Sequence, residues 1–122
     1  MTDADLDLRL SILEASGQIS RRSRALTEDL ISQIEVEFGL RLSEGNAAPL
    51  VTHIAKALER LIRGEEISFE LQSIGEELLD FPEQVNFSTR FFDNLGLELQ
   101  MKIPPAEVNF LAAHLSVMTM QS

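Results

Sequence analysis

The sequence contains no cysteine, which removes disulfides, zinc ribbons and thiol catalysis together. It has two histidines, too few for a three-histidine metal site. No apolar run approaches the ~18 residues that a membrane span requires. The opening stretch MTDADLDLRL is acidic and polar, whereas a secretory signal needs a basic start and an apolar core. A glycine-rich loop able to cradle phosphate is also missing. These absences lead to the expectation of a cytoplasmic chain with no membrane attachment, no metal and no cofactor.

Positive charge is scarce too. Ten basic residues face twenty acidic ones, a formal net charge of −10. Such a surface repels a phosphate backbone, so direct nucleic-acid binding is not expected. The one basic cluster, Arg21, Arg22 and Arg24, reads as the polar face of a helix more readily than as an RNA patch. The adjacent carboxylates Glu65/Glu66 and Glu76/Glu77 diverge on a helix or loop and offer no glycosidase-like acid pair. No enzyme activity is expected.

What is present is a core. The chain has 122 residues, 44% of them hydrophobic. That is enough for one domain over residues 1–122, burying roughly 65–70% of the unfolded surface. Its organisation reads as helices joined by short loops. Thr2 is placed to cap a helix over about 3–15 that ends at Ser16-Gly17. Ser20 opens a helix to Phe38, with Leu26, Leu30, Ile31, Ile34 and Phe38 at amphipathic spacing and Gly39 as its stop. Asn46 is placed to cap the next, with Pro49 in its first turn and a stripe of Leu50, Val51, Ile54, Ala55, Leu58, Leu61 and Ile62 running to Gly64. Ser68 opens a shorter helix through Leu78 and Leu79. Pro82 starts a helix with Val85, Phe87, Phe91, Phe92 and Leu95 that stops at Gly96. Pro104 and Pro105 open the last, with Val108, Leu111, Leu115 and Met118 on one face. Nothing alternates with period two for long, so the expected fold is all-α, a compact bundle of five to six helices.

The two histidines lie on the third and last of the long helices. At about 100° per residue, His53 falls about 160–220° from the centre of its apolar stripe, facing outward with Lys56, Ala57 and Arg60 on its side. Arg60, two turns on, offers positive charge to an incoming anion. His114 falls about 60° from Leu111, at the rim of its stripe, with Phe110 and Val117 flanking it. Glu107, two turns earlier, is placed to orient the ring through another side chain or a water. Spacing alone also admits a solvated His53 and a boundary His114 packed at an interface. Phe110 and Val117, outside the main stripe, suggest a second packed surface such as a subunit contact.

The segment His53-Ile54-Ala55-Lys56-Ala57-Leu58-Glu59-Arg60 resembles the first histidine motif of the PTS regulation domain (PRD), a regulatory module of bacterial antiterminators and transcription activators. The segment from Ile103 to Leu115, IPPAEVNFLAAHL, resembles its second. The lead-in Gly39-Leu40 and the link Gly64-Glu65-Glu66-Ile67 are similar to the family as well, and the likeness runs from about Leu10 to Met118. The resemblance implies a helical domain phosphorylated on histidine by the sugar phosphotransferase system. His53 and His114 match the acceptor positions, and Arg60 and Glu107 match motif positions beside them. It also implies phosphoryl donors among the phosphocarrier HPr and sugar-specific Enzyme II components, and a homodimer whose association responds to phosphorylation. Family regulators usually carry two such domains and a nucleic-acid-binding effector. This chain has room for one, so a stand-alone domain acting on a regulator partner is expected. The alternative is a dimerising adaptor that keeps the fold without phosphotransfer.

Overall fold

A computed structural model describes residues 2–65 and 77–121. The described residues are all-α: five α-helices and one short 3-10 helix. They are α1 (Ala4–Ala15), α2 (Arg21–Phe38), α3 (Glu44–Ile62), the 3-10 helix Glu77–Asp80, α4 (Pro82–Leu99) and α5 (Pro105–Gln121). The chain divides into two compact units, Met1–Glu66 and Ile67–Ser122.

In the first unit, α3 packs against both α1 and α2. Its core is Leu6, Leu10 and Leu13 from α1, Leu30, Ile31 and Ile34 from α2, and Leu50, Val51, Ile54, Ala55, Leu58 and Leu61 from α3, all buried. Asp3, rather than Thr2, caps α1, its carboxylate accepting the Asp5 and Leu6 N–H groups at 3.2 and 3.3 Å. A carboxylate both satisfies these N–H groups and complements the positive helix end, which a threonine cannot match. Ser20 caps α2 as expected, and Gly39 ends it in the left-handed conformation at φ 63°. The α3 helix starts three residues earlier than its sequence suggests. Ser43 is the cap, and Asn46 sits inside the first turn, its Oδ1 accepting the Ser43 N–H at 2.8 Å while its amide donates to the Arg41 carbonyl at 3.0 Å. Pro49 therefore lies within the helix, where its missing N–H leaves one backbone carbonyl without its helical donor.

Charge ties the first unit together. The Arg24 guanidinium reaches Asp7 at 2.8 Å and Glu14 at 3.1 Å on α1, and Glu28 at 3.2 Å on its own helix. The basic cluster is thus in part a brace between helices. Arg9 of α1 pairs with Glu44 of α3 and donates to Thr52 Oγ1 at 3.1 Å. Beside that pair, Leu8 and Ile12 are each 58% exposed, which explains why the leucines and isoleucine of α1 fall on no single narrow stripe.

The second unit is built on α4 against α5, with the 3-10 helix touching both. Phe87, Phe91, Phe92 and Leu95 are buried from α4, and Leu111, Ala112, Leu115 and Met118 from α5. Phe91 and Phe92 meet edge to face at 5.1 Å. Leu78 is buried and Leu79 exposed in the 3-10 helix; the helix expected from Ser68 otherwise lies outside the described residues. The α4 helix does not stop at Gly96. It runs to Leu99 and ends at Gln100 in the left-handed conformation, φ 56°. Gly96 serves another purpose: the Met101 backbone folds over it, its N–H bonding the Gly96 carbonyl at 3.0 Å. A Cβ on residue 96 would stand 2.8 Å from the Met101 carbonyl oxygen. Because the obstacle is backbone, Gly96→Ala is expected to destabilise the chain by about 1–3 kcal/mol, despite alanine's better helix propensity. Urea unfolding monitored by circular dichroism checks this; a Gly96→Ala chain as stable as the parent would show that the turn gives way freely.

Candidate functional site

His53 stands on α3 one turn before the buried Ala57 and two turns before the exposed Arg60. It is half-buried rather than facing out, and its Nε2 atom is shielded from solvent. The cause is the position of α3. A helix with two neighbours buries a wider arc than its aliphatic stripe marks, and here that arc takes in Ala57 at 4% exposure and Glu59 at 5%. His53 borders it. Lys56 is half-buried on the next turn, and Arg60 is exposed two turns on. Both can supply charge to an anion at the rim of α3.

Six residues beyond His53, Glu59 is a buried carboxylate with a full set of donors. Its Oε1 accepts the Ser20 N–H and the Ser23 hydroxyl, each at 2.9 Å, and its Oε2 pairs with Arg63 Nε at 2.6 Å. Burial pushes this carboxyl up, but the Ser20 and Ser23 hydrogen bonds and the Arg63 charge together outweigh it, and Glu59 titrates below the ordinary carboxylate range. Ser20 is the cap of α2, so Glu59 fastens the start of α2 to the helix that carries His53.

His114 stands at the border of the buried arc of α5 and is half-buried. Its Nδ1 lies 3.1 Å from the Phe110 carbonyl oxygen one turn back. A carbonyl only accepts, so in the neutral ring this contact selects the tautomer with the proton on Nδ1 and the lone pair on Nε2. The Phe110 ring packs on the imidazole at a centroid distance of 4.2 Å and a tilt of 32°. Val117, one turn on, is 53% exposed. Glu107, expected at the rim, is instead fully buried at 0% exposure, in line with Leu111 and Leu115. The bond that turns the His114 ring comes from the Phe110 backbone. Among the described residues, no group of three or more histidine, aspartate and glutamate side chains gathers to hold a metal ion, and no helix is long and apolar enough to cross a membrane.

The PRD domain family model matches residues 28–117, a span that includes both histidines and most of the 122-residue chain. The chain belongs to the PRD family. PRDs are regulatory domains of the sugar phosphotransferase system, and regulation rather than catalysis is the work of the family. Comparison with curated proteins and with solved structures gave no match. Within this PRD, spacing places both histidines on helices but does not give the roles of two residues that shape their surroundings, Glu59 and Phe110. Glu59 was visible in the first motif, yet its partners Ser20 and Ser23 lie on another helix. Phe110 was noted as a neighbour of His114, and its i−4 spacing was the available signal for the backbone bond.

Proposed function

We propose that this PRD accepts phosphoryl groups on His53 and His114 and reports the state of sugar transport to a partner protein that regulates transcription. One observation carries the reading: within a PRD, the His114 Nδ1 lies 3.1 Å from the Phe110 carbonyl oxygen, a contact that favours the neutral ring with its lone pair on Nε2. A neutral imidazole nitrogen attacks a phosphohistidine or phosphocysteine donor without a separate base. The donors are HPr, Enzyme II components, or both. Arg60 and Lys56 offer charge to a phosphoryl group on His53, and Glu107 lies buried two turns before His114 on the same helix. The family match crosses the boundary between the two units, which supports one regulatory domain over residues 1–122.

The added charge, about −1.5 to −2 at pH 7, falls on a chain already at −10. At a subunit contact it repels, and the exposed Val117 beside His114 supports such a contact in a homodimer. The setting is the bacterial cytoplasm. Incubating the chain with Enzyme I, HPr, phosphoenolpyruvate and candidate Enzyme II proteins is expected to yield acid-labile phosphate that depends on the histidines; if none appears with a competent donor, the acceptor role fails. Light scattering on the phosphorylated and unphosphorylated chain at tens of micromolar is expected to show a dimer whose population shifts between the two. A monomer throughout would count against the contact.

A further inference from the structure

We propose that Phe110 is the positioning residue of His114: its carbonyl holds the Nδ1 proton and its ring braces the imidazole, so that Nε2 takes and returns the phosphoryl group. This rests on the acceptor role proposed above and adds which atom reacts and what prepares it. A free histidine side chain prefers its proton on Nε2, the tautomer whose Nε2 has no lone pair to offer. The 3.1 Å bond from Nδ1 to the Phe110 carbonyl reverses that preference. The phenyl ring, stacked at 4.2 Å and tilted 32°, restricts rotation of the imidazole away from the bond. Both constraints come from one residue a single turn away, so the arrangement is set by α5 itself.

The chemistry follows from where the proton sits. The Nε2 lone pair attacks phosphorus and a P–N bond forms. The donor's own P–N or P–S bond breaks, and its electron pair leaves with the donor's imidazole nitrogen or sulfur. The Nδ1 proton stays in place, so the product is a phosphoryl group on an imidazolium. That cation is held by the Phe110 carbonyl and faced by its π-cloud. In the return step the P–N pair goes back to Nε2 and the leaving group is a neutral imidazole. No proton has to be gained or lost in either direction, which keeps the phosphoryl group transferable.

The full chain labelled with nitrogen-15 tests this in two stages. Before phosphorylation, the His114 ring nitrogens are expected to report Nδ1 protonated and Nε2 unprotonated when the ring is neutral; a dominant Nε2–H tautomer overturns the proposal. Phosphorylation with phosphoramidate, a small P–N donor that loses ammonia, is then expected to place phosphorus on Nε2 of His114, and attachment to Nδ1 overturns it. Phe110→Leu is expected to lower the Nδ1–H population and the rate of His114 phosphorylation by about two- to tenfold, the range that a lost aromatic pair corresponds to. Phe110→Tyr is expected to restore both, and His53 in the same samples serves as the internal control. Equal behaviour of the Leu and Phe chains removes the ring from the proposal. Should Phe110→Leu fail to fold, the wild-type tautomer and the Phe110→Tyr chain decide. A chain that keeps the Nδ1–H tautomer and reacts with phosphoramidate, yet takes nothing from HPr or Enzyme II donors, sinks the signalling role and leaves the positioning standing.

Discussion

Replacing Glu59 by alanine is expected to lower the unfolding free energy by about 3 kcal/mol, from the loss of hydrogen bonds to a charged group at about 1.5–3 kcal/mol each. The carboxylate is 5% exposed and receives the Ser20 N–H, the Ser23 hydroxyl and Arg63. Ser23 is itself fully buried, so its hydroxyl loses an acceptor that water does not easily replace. Arg63 is half exposed and recovers its hydration, which keeps the loss below that of a fully buried ion pair. Glu59→Gln retains an acceptor oxygen but not the charge, and its loss is expected to fall between the two. Thermal and urea unfolding of the three chains measure this order. An alanine chain within 0.5 kcal/mol or so of wild type, the range usual for surface positions, would show that the buried carboxylate is merely tolerated.

The same residue sets a pH dependence. Because the folded state holds the Glu59 carboxyl below its ordinary range, its stabilisation is fully present above the unfolded pKa of about 4.3. It is lost as pH falls from there through the lower folded value. Glu44, lowered by its hydrogen bond and ion pair with Arg9, acts in the same window but at an exposed site where the pairing is worth little. The difference in stability between wild type and Glu59→Gln isolates the Glu59 share. That difference is expected to shrink as pH falls below about 4.3, and a constant difference down to pH 2 would contradict the linkage.

Much of this fold is written in aliphatic spacing, and what escapes it has a common cause. Leu30, Ile31 and Ile34 on α2 and the stripe from Leu50 to Leu61 on α3 are buried as their periodicity indicates. Ser23 and Thr27 are just as buried on α2, yet hydropathy assigns them to the surface. Their burial depends on acceptors, the Glu59 carboxylate for Ser23 and the Ser23 carbonyl for Thr27 at 2.7 Å. The first of these comes from a helix 36 residues away in the chain. Gly96 read as a stop because glycine usually ends helices; its actual constraint is the Met101 backbone lying over it, which no local pattern reveals. His53 faced outward on a wheel drawn for a single neighbour, and α3 has two. Helical position was therefore legible for both histidines, and the degree of burial was not. For His114 the rim position was legible, as was the proximity of Phe110. The depth of Glu107 was not, because a carboxylate is the last residue that spacing would assign to the centre of a buried face.

On the proposed function, that difference in burial gives the largest expected effect on phosphoryl uptake. His114 is half-buried with its Nε2 lone pair prepared by the Phe110 bond. His53 is also half-buried, but its Nε2 is shielded from solvent. A phosphoryl donor has to bring phosphorus in line with the attacking nitrogen at about 3–3.5 Å, which a covered atom does not permit until its surroundings move. His114→Ala is therefore expected to remove most of the rapid acid-labile phosphate, and His53→Ala to leave most of it. The double substitution is expected to abolish it. The slower phase on His53 should accelerate where α3 is loosened from its partners, and Glu59→Gln supplies that loosening without touching either histidine. Time courses of phosphate incorporation into wild type and these four variants separate the cases. Equal initial rates at the two sites would mean that the covering of His53 Nε2 opens faster than transfer, and uptake surviving in the double substitution would place the acceptor on another side chain altogether.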